Sequence, residues 1–449
     1  MKPTDGKHYL IMAAVVRQAL LMLILIAPAC GAALEEAKRT QHQHGQLQAE
    51  CDELLRLAIR RPYGWAWDAA AGNDNSRGSS QVVSMQPRHT PAAGALLILA
   101  ANLLDEPQYL DAAREVAKGM AAAQETSGRI PTQPIFGTRA GGRDEPTLVP
   151  DRAPTIAALA FLLMFDEASE GKHAIARQAA VRAAHWLARQ QTPVGGWPSS
   201  HPPGADPKTG QRIVRLDSPD HRNSTYALLL AGQVLQERLL ARSGQKAAEF
   251  LIKLRLPVRR RAGDLLWATT YSLEGTPNSD ALALREGADL LASYYTMQVL
   301  LGAYLTSGHD ESLKALVESS QTLQVLTKDQ VAPWQRFPEG PPEVDDPATQ
   351  PGVFHSPQAL QESGQALDSE LLLRSIERLR SMDQERYEAE LVPRLSARQH
   401  AALAMVGLLE GPMLIAAGPP PQEAFGDRNG SNLTARVSKL WSMMREVLL

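Results

Sequence analysis

A small set of side chains in this sequence has types and surroundings suited to chemistry as well as to packing: Asp151, Asp217, Asp220, Arg215, Arg285, Arg336, Trp197 and Trp334. Carboxylates offer hard oxygen atoms and guanidinium groups grip anions through a planar fork, and an indole offers a flat apolar face on which carbohydrate rings stack. Each has an ordinary structural reading beside the chemical one. Asp151 and Asp217 stand close to helix starts, where Asp serves as a cap worth about 1 kcal/mol. Arg285 beside Glu286 reads equally as a surface ion pair, and Arg336 as a cation stacked on Trp334. In Gly195-Gly196-Trp197-Pro198 the glycines permit a tight turn and the proline fixes the chain direction, so Trp197 is either a sugar platform or a wedge between helices. His89, His201 and His221 lie in the same class of loop, but no His-x-x-x-His or Cys pair gives them a zinc spacing.

These residues are spaced by a repeat. Residues 124–131 (QETSGRIP) recur as residues 191–198 (QTPVGGWP), so that Gln124, Gly128 and Pro131 match Gln191, Gly195 and Pro198. Asp151 and Asp217 then follow at equivalent places. A weaker copy runs through Gly64-Trp65-Ala66-Trp67 to His89, Thr90 and Pro91. A period of this size means stacked helix pairs. Helical spacing of apolar residues covers 51–59, 91–104, 108–124, 154–166, 173–190, 225–240, 245–254, 287–305, 310–323, 359–380 and 384–409, and no stretch alternates as a strand would. Segments 155–166 and 225–240 are apolar on all sides, whereas 108–124 and 173–190 keep a charged face. Such alternation predicts buried inner helices within a ring of half-wet outer ones: an all-α fold, an α/α toroid, with its long loops at one end. The toroid is expected over residues 45–416, followed by a linker and terminal helix over 417–449.

The chain has 449 residues, 44% of them apolar, and a net charge of only -3, which permits a large core and excludes a nucleic-acid groove. Lys2, Lys7 and Arg17 precede an apolar run at 19–27 and small residues up to Ala33, the layout of a signal peptide over 1–33. The run is short for a bilayer, so no stable membrane span is expected after cleavage and the protein is expected to be secreted or periplasmic. Cys30 would carry a lipid only if Ala27 stood in for the leucine usual three residues earlier. Without Cys30, Cys51 is left alone and no disulfide can form within the mature chain.

The order of motifs over residues 90–360 resembles that of the family 10 pectate lyases. Asp151-Arg152-Ala153-Pro154-Thr155 is similar to that family's Asp-Asn-Gly-Ala-Thr, and Gly195 to Pro198 matches its Gly-Gly-Trp-Pro turn. Asp217-Ser218-Pro219-Asp220 stands where the family has Asn-Asp-Asp-Ala. Trp267, Tyr271, Leu273 and Pro277 match its Trp-x-x-x-Tyr-x-Leu stretch, Arg285-Glu286 comes near its Ala-Arg-x-x-Glu, and Trp334-Gln335-Arg336-Phe337 is similar to its Trp-x-Arg-Phe-Tyr. Departures are Pro219 and His221 within the acidic segment, Leu282 after Ala281, and Pro338 after Phe337.

The resemblance implies cleavage of polygalacturonate, or a related uronan, by β-elimination, in which a base takes the C5 proton and the C4 oxygen leaves. It implies Arg285 and Asp151 as catalytic groups, Ca²⁺ held by Asp217, Asp220 and Asp151, and substrate held by Trp197, Trp334, Arg336 and Arg215. The partner expected is therefore an acidic polysaccharide such as pectate. The departures leave open a toroid without turnover that binds a glycan or a protein. A terpenoid-cyclase-like toroid is less well supported, since no Asp-x-Asp-Asp motif is present.

Overall fold

The computed structural model describes residues 41–68, 83–134, 151–199, 213–216, 218–257, 265–275, 290–328, 369–382, 384–390, 395–409 and 432–448. The expected signal peptide and the residues Asp217, Arg285, Trp334 and Arg336 lie outside these. Among the described residues no helix is long and apolar enough to cross a membrane.

Helix α1 (residues 41–56) is followed by α2 (Thr90–Leu104), α3 (Pro107–Ala123), α4 (Ala153–Ala168), α5 (Ala174–Arg189), α6 (Pro219–Val234), α7 (Arg238–Lys253), α8 (Leu290–Ser307) and α9 (Asp310–Lys328). The two textures of the sequence become two layers. In α4 every residue from Pro154 to Asp166 is buried, as a helix enclosed on all sides requires. In α3 the buried positions Tyr109, Ala112, Ala113, Val116, Ala117 and Met120 fall on one stripe. Inner helices α2, α4, α6 and α8 pack side by side, each against its own outer partner α3, α5, α7 or α9. The fold is all-α, an α/α toroid in its layering, with short antiparallel ribbons confined to the loops. These ribbons pair β1 (Ile59–Arg61) with β2 (Gly64–Ala66), β3 (Ile213–Arg215) with a strand at Thr270–Ser272, and Leu256–Pro257 with Leu265–Leu266.

The repeated blocks turn out to be staples. The side-chain amide of Gln124 donates to Gly128 O at 2.9 Å and to Ala179 O on α5 at 3.0 Å. Gln191 does the same for Gly195 O and for Ser243 O on α7, both at 2.9 Å. Each glutamine therefore ties the loop leaving one outer helix to the next outer helix. Gly128 (φ 97°) and Gly195 (φ 117°) allow the approach, since a Cβ there would lie 2.3 Å from Arg182 O and 2.5 Å from Lys246 O. Tryptophans repeat the theme: the indole N–H groups of Trp67, Trp197 and Trp267 donate to Leu54 O, Leu187 O and Leu251 O, each on the outer helix just left behind.

Two expected helices are corrected. The segment 225–240 is not one helix: α6 starts at Pro219, whose fixed φ suits a first helical position, and the chain turns at Gln236 (φ 59°) before α7. The segment 384–409 is divided into α11 (Gln384–Glu390), which follows α10 (Ser369–Ser381), and α12 (Ala397–Met405). Ser396 and Gln399 form a reciprocal capping box at the start of α12.

Helix α12 runs against the direction of the inner helices. At its start Arg398 pairs with Glu167 near the end of α4, and beyond its end the oxygens of Val406 and Gly407 accept from Arg88 just before α2. It packs on α4, α6 and α8 together, and its alanines 401, 402 and 404 are buried. It therefore fills space on the inner face of the helix layer. The last helix, α13 (Asn432–Leu448), lies on α2 and pairs Lys439 and Arg436 with Glu50 and Glu53 of α1.

Candidate functional site

Because every inner helix is preceded by the loop from an outer one, the starts of α2, α4 and α6 share one pole. That pole is where the described candidates stand. Asp151 comes just before α4 and its Oδ1 accepts from Ala153 N–H at 3.0 Å, a local side-chain-to-backbone turn at the helix start. Asp220 occupies the first turn of α6, where a carboxylate complements the helix dipole. Arg215 is partly exposed on β3, opposite Thr270.

The residue that joins them is Arg152. Its side chain is 2% exposed, and one terminal nitrogen donates to Pro198 O at 2.6 Å. Burial disfavours its charge and lowers its pKa, and the nearby carboxylates of Asp220 and then Asp151 oppose that shift. Guanidinium is so strong a base that it stays a cation in this setting. Its Nε has no hydrogen-bond partner among the described residues.

His221, one residue beyond Asp220, is 3% exposed and lies edge-on to Trp197 at 5.1 Å and stacked on Phe250 at 6.0 Å. Burial, reinforced by the charge of Arg152, pushes its pKa down to about 3. Neither ring nitrogen has a hydrogen-bond partner among the described residues, nor does the hydroxyl of Ser224 one turn later. Elsewhere in the repeat that position is used. Thr90 brackets the backbone N–H and carbonyl of Trp67, and Thr155 those of Ile130, in both cases through its hydroxyl. At α6 Thr225 turns back to His221 O instead.

Trp197 is corrected from platform to wedge. Only 1% of it is exposed, so no ring can stack on its face. Arg222, which sequence reasoning passed over, donates to Gln298 on α8 at 2.6 Å and lies over the Tyr295 ring at 5.2 Å. It cross-links two inner helices. Arg152 stood in the sequence only as a position within the Asp151 to Thr155 segment, and its importance comes from burial beside two acids.

The residues present do not by themselves fit calcium. Asp151 is engaged at a helix start, Asp220 and Asp151 both face the charge of Arg152, and among the described residues no group of three His, Cys, Asp or Glu side chains converges to hold a metal. Asp217, Arg285, Arg336 and Trp334 lie outside the described residues. The arrangement offers a fixed cation, several helix starts and two carboxylates that tune it.

No family model and no curated protein matches the chain. Solved structures do match. A family 10 polysaccharide lyase from Cellvibrio cellulosa, a mutant in complex with trigalacturonic acid, is 15% identical over 52% of this chain and 71% of its own, with a TM-score of 0.32. An α-1,6-mannanase of Salegentibacter, an inactive variant with α-1,6-mannotriose, is 10% identical over 90% and 99%, with a TM-score of 0.43. An α-amylase from Clostridium perfringens is 11% identical over 90% and 98%, with a TM-score of 0.41. These neighbours are carbohydrate-active enzymes of different specificities, and at such values they leave substrate and reaction to the residues of this chain.

Proposed function

We propose that this chain is an exported α/α toroid whose loop pole receives an acidic polysaccharide, polygalacturonate or a related uronan. The observation that carries the reading is the buried Arg152 between Asp151 and Asp220, at a pole toward which the starts of the inner helices point. Helix starts carry partial positive charge that favours carboxylates at this pole, and Arg152 offsets part of the negative charge that Asp151 and Asp220 place there. The order of motifs over residues 90–360 adds the uronan as the carboxylate-bearing chain. Binding is the part supported by the described residues, because Asp151 and Asp220 are already engaged. Turnover by β-elimination is the second reading, favoured by the place of Arg285 and Arg336 in the motif order. In that reading Ca²⁺ belongs with Asp217, and a chelator is part of the test.

Purified protein is mixed with polygalacturonate, with Ca²⁺ or with a chelator, and absorbance of the unsaturated product is followed. Oligogalacturonates are titrated calorimetrically in parallel. Heat of binding without absorbance supports a binding toroid, and calcium-dependent absorbance supports the lyase. Silence in both, across several uronans, overturns the proposal.

A further inference from the structure

Away from the loop pole, a concavity lies between the outer helices α3 and α5, where the turn after α4 enters α5. Its volume is about 280 Å³, close to the about 300 Å³ at which small-molecule sites begin, so it admits one ring and not a chain. Its wall is basic. Arg114 and Lys118 come from α3 and Lys172 and His173 from the turn, and no acid among the described residues lines it. The side chains of Arg114, Lys118 and Lys172 are 39%, 41% and 70% exposed, so a ligand entering from solvent meets them directly.

Each cation has an acid beside it, off the wall. Arg114 lies 3.2 Å from Asp111 and 3.6 Å from Glu115, Lys118 lies 2.7 Å from Glu115, and Lys172 lies 2.6 Å from Glu170. Pairs this exposed add little to stability and can be exchanged for the carboxylate of a ligand. The start of α5 adds to the wall. Ala174, Ile175 and Ala176 line it, the N-cap residue His173 makes no side-chain cap, and the first turn holds no acid. Backbone N–H groups of a first turn lack acceptors within their helix and favour an anion. The rest of the reachable wall is apolar. Ile175 is 59% exposed, one of three large apolar side chains exposed among the described residues, and the His173 ring is held by stacking on Phe165 at 5.2 Å.

We propose that this concavity binds a small organic anion, a carboxylate carried on an apolar body of single-ring size, with the carboxylate between the start of α5 and the heads of Arg114 and Lys118 and the body against Ile175 and His173. Neither half suffices. An inorganic anion leaves Ile175 in water, and a neutral ring leaves the cations to Asp111 and Glu115.

The test titrates the full chain calorimetrically with benzoate, with benzamide and benzylamine as neutral and cationic rings of the same shape, and with inorganic phosphate as an anion lacking the apolar body. Benzoate is expected to bind best and to weaken as salt is added. The double variant Arg114→Gln, Lys118→Gln is expected to weaken it about tenfold or more, with polygalacturonate binding unchanged. Should that variant fail to fold, Lys172→Gln and Ile175→Ser, both at exposed positions, are each expected to weaken benzoate measurably. No heat from benzoate at millimolar concentration, equal affinity for benzamide, benzylamine or phosphate, or unchanged affinity in the folded variants would each overturn the proposal.

Discussion

The guanidinium of Arg152 donates to the carbonyl oxygen of Pro198 at 2.6 Å and so joins the start of α4 to the loop that opens the next repeat. Replacing it with methionine keeps the length and removes the charge. A charge-assisted bond to a buried carbonyl is lost, at a cost of about 2 kcal/mol, and Asp151 and Asp220 lose their cation. Arg152→Met is expected to lower the urea midpoint and to weaken oligogalacturonate binding about tenfold or more. Calorimetry on the folded variant separates the two effects, and unchanged affinity contradicts the role given to Arg152.

Gln124 and Gln191 make matching pairs of bonds to loop and outer helix. Gln124→Ala and Gln191→Ala are each expected to cost about 1–2 kcal/mol. The double variant should lose close to the sum, because the two sites share no partner. Gly195→Ala is expected to cost more than either, given its φ of 117° and the 2.5 Å approach to Lys246 O. Denaturant midpoints rank all four proteins.

His221 sets a pH dependence of stability. Its pKa is about 3 in the folded chain against an ordinary 6.5, so between those values the unfolded chain binds a proton that the folded one refuses. The stability from keeping this ring neutral is full above about 6.5 and drains away as pH falls toward about 3. His221→Phe keeps an aromatic ring between Trp197 and Phe250 and removes the titration. The variant is expected to lose less stability than the parent between pH 7 and pH 4 in urea melts, and an identical slope counts against the assignment.

How much of this was legible in the sequence follows from what each signal encodes. The two layers were, because a helix enclosed on all sides must be apolar throughout, as in α4, and a half-wet one must be striped, as in α3. The start of α6 was not, because Asp220 and His221 are polar and sit in its first turn, so the apolar run alone placed the start several residues late. The capping box of Ser396 and Gln399 was present in the sequence and marks a helix start inside what periodicity read as one segment. The direction of α12 carries no local signal at all. Trp197 shows the converse: its motif was plain, but platform and wedge share one sequence, and only burial separates them.

Cys51 is fully buried, and burial aided by Asp52 and Glu50 pushes its thiol up to about 12. It is expected to resist alkylation in the folded protein at pH 8 and to react at the ordinary rate once urea unfolds the chain. Mass spectrometry after iodoacetamide treatment reads both states, and rapid labelling without denaturant contradicts the packing around α1.

Hydrogen exchange with and without oligogalacturonate tests the site assignment most directly. Slowed exchange is predicted at residues 151–155, 195–199, 213–216 and 218–222, with the ends of α4 and α6 unaffected. Protection confined to the ends of those helices, or spread without preference over the outer layer, would contradict a uronan site at the loop pole.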